Sequence, residues 1–326
     1  MSETILKVDH LKTYFDVTKG VFAKKQIVKA VDDVSFEVYK NETFGLVGES
    51  GCGKSTLGRT IVKLYEPTDG SIEFEGKDIS KIKGKELKAY RKDMQMIFQD
   101  PYASLDPRMN VLQLIEEPIK VNNKKMPKKE VEERAKEMME LVGLAKRLEN
   151  TYPHELDGGR RQRIGIARAL SLNPDFIVCD EPVSALDVSI QAQILNLLQD
   201  LQDERGLTYM FITHDMSVVK HISDDIAVMY LGQLIEKCPA SEIFKNTIHP
   251  YSQALLSAIP IPNVHIKKER MILKGELTSP IDPKPCCRFA ARCPYATEEC
   301  LAKEPELREI KPNHHVACHY AEKFVK

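Results

Sequence analysis

The chain has 326 residues, room for two or three domains, and its 42% hydrophobic content supports a sizeable core. Lys+Arg 47 against Asp+Glu 48 gives a formal charge of −1, so no global basic field marks a nucleic-acid binder. No apolar run reaches the roughly 18–20 residues that span a bilayer, and the charged start MSETILKVDHLKTYF lacks a signal-peptide core, so the expectation is a folded, cytosolic chain rather than a disordered, collagen-like or secreted one.

Along the chain, Val34, Phe36 and Val38 alternate with polar neighbours at strand period. Residues 44–47 are a short, mostly apolar run entering Gly48-Glu49-Ser50-Gly51-Cys52-Gly53-Lys54-Ser55-Thr56, after which Leu57, Ile61 and Leu64 follow helical spacing. This is a complete G-x-x-x-x-G-K-[ST] segment between a strand and a helix. Its glycines let backbone N–H groups turn inward around a β-phosphate, and the helix N-terminus adds a favourable dipole. Lys54 reaches the β/γ-phosphates and Ser55 offers a hydroxyl to Mg²⁺.

Residues 94–98 read as a strand and about 101–165 as a helical insert, where Val131, Ala135, Met138, Met139 and Val142 share one face. Strands return at 176–179, 210–213 and 226–230, and Ile190, Ile194, Leu197, Leu198 and Leu201 stripe a helix between the first two. At the end of the first, Asp180 can hold the magnesium shell and Glu181 can polarise a water for in-line attack on a γ-phosphate. The strand–helix alternation predicts an α/β fold with a mainly parallel sheet.

After His249-Pro250 the texture changes: prolines recur at 260, 262, 280, 283 and 285, and a boundary is expected near 255–265. Cys286, Cys287, Cys293, Cys300 and Cys318 crowd the last 41 residues. Clustered thiols with no export signal read as metal ligands rather than disulfides.

Leu156-Asp157-Gly158-Gly159-Arg160-Arg161-Gln162-Arg163 resembles the signature motif of ATP-binding-cassette ATPases, L-S-G-G-Q-R-Q-R. The order Lys54, Gln99 in a Phe-Gln-Asp-Pro loop, this segment, Asp180-Glu181, Ser184-Ala185-Leu186-Asp187 and His214 is similar to that family's phosphate loop, Q-loop, signature, Walker B, D-loop and H-switch, over about residues 1–250. The resemblance implies a P-loop cassette core with a mainly parallel sheet, an antiparallel β part and a helical subdomain at about 100–165. That core would fill residues 1–260, and residues 261–326 would be a small cysteine-rich, cluster-binding extension.

The resemblance also implies ATP and Mg²⁺ as cofactors. Gly48, Ser50, Gly51, Cys52, Gly53, Lys54, Ser55, Thr56 and Asp180 would bind the nucleotide, with Tyr14 stacked on adenine and Phe15 its competitor. Ser55, Gln99 and Asp180 would hold Mg²⁺, Gln99 would also contact the attacking water, and Glu181 and His214 would complete catalysis. Asp157, Gly158, Gly159 and Asp187 would act across a head-to-tail dimer, although the family's usual serine and glutamine are Asp157 and Arg160 here.

Within the family, residues 48–53, 102–107 and 249–256 resemble the dipeptide/oligopeptide importer ATPases, and so does the tail Cys287-x5-Cys293-x6-Cys300-x17-Cys318. Relatives with such a tail carry a [4Fe–4S] cluster, one thiolate per iron; zinc on four cysteines is the alternative. The resemblance thus implies a subunit that hydrolyses ATP to power import of di- or oligopeptides, peripheral to the cytoplasmic face of the cell membrane. Its partners would be transmembrane permease subunits, a second identical or homologous ATPase and an extracytoplasmic peptide-binding protein, with no nucleic acid. The other readings are a soluble cassette ATPase acting on nucleic acid or ribosomes, or a redox-sensing ATPase. Since the tail reads as a separate extension, replacing Cys293 or Cys318 is expected to leave ATP binding intact.

Overall fold

The computed structural model describes residues 3–20, 24–259, 271, 273, 275 and 280–325, so the expected boundary at 260/261 lies outside the described residues. The chain divides into two compact units, residues 1–80 with 211–326 (unit 1) and residues 81–210 (unit 2). Unit 1 opens with β1 (Thr4–Asp16), β2 (Ile27–Tyr39), β3 (Thr43–Val47), α1 (Lys54–Ile61), β4 (Asp69–Phe74) and β5 (Lys77–Asp78). Unit 2 holds α2 (Gly84–Asp93), β6 (Met94–Ile97), α3 (Val111–Asn122), α4 (Lys128–Leu141), α5 (Gly158–Leu170), β7 (Phe176–Asp180) and α6 (Val188–Arg205). The strand β8 (Thr208–Thr213) runs through the junction. Unit 1 then resumes with α7 (Met216–Ile222), β9 (Asp225–Tyr230), β10 (Gln233–Pro239), α8 (Ala240–Ile243), α9 (Pro250–Ala258), α10 (Glu298–Ala302), β11 (Arg308–Lys311) and β12 (His314–Val316).

In unit 1, β2-β1-β4-β5 form an antiparallel sheet. A second sheet carries β3 parallel to β9, with Phe44 opposite Asp225 and Val47 opposite Val228. Every residue of β3 is buried, and β9 is buried beyond Asp225. Continuous apolar runs of this kind mark parallel strands covered on both faces. After β9 the chain reverses through Leu231 and Gly232, both at positive φ, the signature of a two-residue hairpin turn, and β10 returns antiparallel to β9.

The tail extends the same sheet, because β12 pairs with β10 and β11 with β12. A fully buried carboxylate pins this join: Glu236 on β10 accepts hydrogen bonds from the N–H groups of Ile248 (2.7 Å) and His249 (3.1 Å) and lies 2.8 Å from His314 Nε2. Three polar partners offset the cost of burying the acid.

In unit 2, β6 and β7 pair in parallel, with Met94 opposite Phe176 and Ile97 opposite Cys179. The expected face of α4 is buried at Val131, Ala135, Met138 and Met139, and Val142 is buried just past its end. On α6 only Ile194, Leu198 and Leu201 of the expected stripe are buried. A capping box at Asn110 and Gln113 starts α3.

Candidate functional site

The phosphate loop leaves β3 and enters α1 in unit 1. Gly53 sits at φ +111°, where a Cβ would fall 2.0 Å from the Ala30 carbonyl oxygen, and a Cβ on Gly48 would fall 2.3 Å from that of Met229. Only glycine fits at either place. The side chain of Lys54 is drawn back over the loop: its Nζ donates to the carbonyl oxygens of Gly48 (2.8 Å) and Glu49 (2.9 Å). Lys54 is 4% exposed, so its side chain is withdrawn from water and held in place by backbone dipoles. The N–H of Glu49 donates to the Tyr251 hydroxyl at 2.9 Å, a contact that local sequence patterns do not signal. Cys52 is buried, and burial pushes its thiol pKa up.

Also in unit 1, Tyr14 donates its hydroxyl to Asp32, and Lys29 Nζ lies 5.3 Å from its ring centroid. Its neighbour Phe15 packs edge-on against Tyr65 at 5.4 Å. His214 follows β8 and is exposed beside Asp215, the N-cap of α7.

Unit 2 brings Gln99 and Glu181 together: Gln99 Nε2 donates to Glu181 Oε2 at 2.9 Å. Asp180 ends the fully buried β7, and Glu181 follows at φ +46°, a conformation non-glycine residues adopt rarely and which clusters at functional positions. The carboxylate of Asp157 caps α5, accepting from the Arg160 N–H at 2.8 Å, and lies 3.4 Å from the Arg160 guanidinium. Asp187 caps α6 in the same way through the Ile190 N–H at 3.0 Å. Gly159 gives Ile190 room, since a Cβ there would fall 2.6 Å from the Ile190 side chain.

Cys287, Cys293, Cys300 and Cys318 line one pocket of unit 1 together with Phe289, Tyr295, Tyr320 and Phe324. Burial pushes the Cys287 thiol up to about 12, and the neighbouring Cys300, Cys318 and Cys293 add to that shift. Burial raises Cys293 and Cys318 as well. Among the described residues, no group of three or more His, Cys, Asp and Glu side chains could hold a single metal ion.

A family profile described as "ABC transporter" matches residues 31–184, and one described as "Oligopeptide/dipeptide transporter, C-terminal region" matches residues 235–300. The chain is 52% identical to the oligopeptide transport ATP-binding protein AppF of Bacillus subtilis, over 97% of both chains. It is 50% identical to the oligopeptide transport ATP-binding protein OppF of Escherichia coli, over 97% of this chain and 96% of that one. Among solved structures, it is similar to the ATP-binding cassette MJ0796 in a dimeric post-hydrolysis state bound to ADP and Pi, with TM-score 0.65 and 28% identity over 72% of this chain and 99% of that one. The cbiO1 subunit of the cbiONQ transporter complex from Clostridium perfringens gives TM-score 0.63 and 28% identity over 74% and 91% of the respective chains.

Proposed function

This chain belongs to the ATP-binding-cassette transporter family and is an ATPase of it, and on that premise we propose that it powers import of di- or oligopeptides through a membrane transporter. The near-full-length likeness to oligopeptide transport ATP-binding proteins carries this reading. Lys54 and the loop amides would bind the β- and γ-phosphates, and Ser55, Asp180 and Gln99 would hold Mg²⁺, which supplies charge to offset that of the phosphates. Glu181 polarises the attacking water, and the 2.9 Å bond from Gln99 orients its carboxylate. His214 steadies the γ-phosphate, and Tyr14 flanks the adenine.

Residues 1–260 serve as the nucleotide-binding domain, and 261–326 as the cysteine-rich extension. The ATPase pairs head to tail with an identical or homologous partner and docks on transmembrane permease subunits from the cytoplasmic face, with an extracytoplasmic peptide-binding protein completing the assembly. Among the described residues no helix is long and apolar enough to cross a membrane, which suits a peripheral subunit. Purifying the chain under mild detergent tests this assembly. Two hydrophobic subunits are expected to accompany it, and recovery with ribosomes or nucleic acid instead would overturn it.

The tail is proposed to hold a [4Fe–4S] cluster on Cys287, Cys293, Cys300 and Cys318. What supports this reading is that these four thiols line one pocket, one for each iron. A bound cluster would supply a one-electron couple and a cationic centre that favours the thiolate form of its ligands, opposing the upward push that burial gives Cys287. The chain purified without oxygen should be brown and contain about four irons and as many sulfides. Stoichiometric zinc without sulfide would contradict the assignment.

A weakened signature is also part of the proposal. In the closed dimer a serine at this position donates a hydrogen bond to the opposite γ-phosphate, whereas an ionised Asp157 has no proton to give and repels it. The Arg160 partner offsets little of this, because the pair is exposed. Serine caps a helix as well as aspartate does, so Asp157→Ser removes the charge and keeps the cap. In a Glu181→Gln background with saturating ATP, Asp157→Ser is expected to raise the dimer fraction measured by sedimentation. Equal fractions would discard the idea.

A further inference from the structure

We infer that Arg292, in the tail, is a positioning residue of the nucleotide site: through Glu49 it fixes the phosphate loop and so sets nucleotide affinity. The inference rests on the reading of residues 48–56 as the phosphate loop. Two parallel bonds join the pair, Arg292 Nη1 to Glu49 Oε2 at 2.7 Å and Nη2 to Oε1 at 3.0 Å. Bidentate, charge-assisted contacts of this kind fix orientation as well as distance. The two side chains are only 9% and 25% exposed, so solvent screens the pair less than it would a surface bridge.

Glu49 is held at every polar group. Its carboxylate takes Arg292, its N–H donates to Tyr251, and its carbonyl oxygen accepts from Lys54 Nζ at 2.9 Å. The lysine assigned to the phosphates and the tail arginine therefore grip the same residue. Arg292 is itself braced, with its guanidinium 5.9 Å from the Tyr230 ring centroid.

The arginine sits in a tight segment between two of the pocket-lining thiols. The Ala290 N–H donates to the Cys287 carbonyl (3.0 Å), and the Cys293 N–H to that of Phe289 (3.0 Å). Phe289 in turn packs 5.4 Å from both Tyr230 and Tyr251, the ring whose hydroxyl holds the Glu49 N–H. Cys287 and Cys293 are thus connected to the loop along two routes, one ionic and one through packed rings. At the other end of the segment Arg288 donates to Asp32, which also accepts from Tyr14.

A double-mutant cycle on the full chain tests the inference, with MgADP binding read by calorimetry. Arg292→Gln and Glu49→Gln should each weaken binding about tenfold, and the double variant no further than either single. Arg292→Lys keeps the charge but loses the fork, so it should recover part of the affinity. Glu49→Gln leaves the tail unaltered and keeps the test open should Arg292→Gln fail to fold. Single variants that bind within about twofold of the natural chain, or losses that multiply in the double, would overturn the inference. A natural chain that does not bind MgADP, or a Lys54→Ala variant that binds it equally well, would instead overturn the phosphate-loop reading on which it rests.

Discussion

Glu181→Gln should abolish steady-state ATP turnover, lowering it by at least about a hundredfold, while leaving ATP binding within about twofold. The amide keeps the shape of the carboxylate and can still bond to Gln99, which at present donates to Oε2 at 2.9 Å. What it loses is the negative charge proposed to draw a proton from the attacking water. Phosphate release and equilibrium binding, measured on the same preparation, separate the two effects. A variant that hydrolyses ATP normally would remove Glu181 from catalysis. One that neither hydrolyses nor binds would indicate that the strained turn at φ +46° had collapsed instead.

Lys54→Ala should act on binding first, weakening nucleotide affinity by about 10- to 100-fold, the range set by losing a charged hydrogen-bond donor. Lys54 is 4% exposed and its ammonium already spans the Gly48 and Glu49 carbonyl oxygens, so alanine removes both a brace of the loop and the cation proposed to face the phosphates. Titration with a fluorescent ADP analogue would measure the loss, and unchanged affinity would contradict the role.

The elements that place the chemistry were legible because they are local. The apolar runs that became β3, β7, β8 and β9 and the stripe of α4 announce themselves by period and burial. Gly48 and Gly53 of the phosphate loop are dictated by carbonyls that pass within 2.0–2.3 Å of where a Cβ would sit. Less was readable where structure depends on distant partners. The β1–β2 pair is long and broken by register shifts, and half-buried positions blur its alternation. The short strands β11 and β12 exist through pairing onto β10, and Glu236 reads as an ordinary charged residue until His314 and two backbone amides surround it.

The tail shows the same limit most clearly. Sequence texture marks it as a separate extension, yet the phosphate loop and the cysteines belong to one compact unit, and the Glu49–Arg292 pair spans 243 positions. If Arg292 fixes the phosphate loop through Glu49, replacing its neighbour Cys293 should disturb ATP binding, against the expectation from sequence texture. No local pattern in either segment encodes the pairing; it follows from where β10, α9 and the tail bring the two segments.

The proposed coupling of ATP hydrolysis to peptide import is tested most directly in proteoliposomes. These would carry this chain with its permease subunits and partner ATPase, ATP on the side of the ATPases, and a labelled oligopeptide with its binding protein on the other. Labelled peptide should accumulate with the natural chain and fail to accumulate with Glu181→Gln at equal protein. Accumulation at the full rate with Glu181→Gln, or ATP hydrolysis by the natural complex with no peptide movement, would contradict the account.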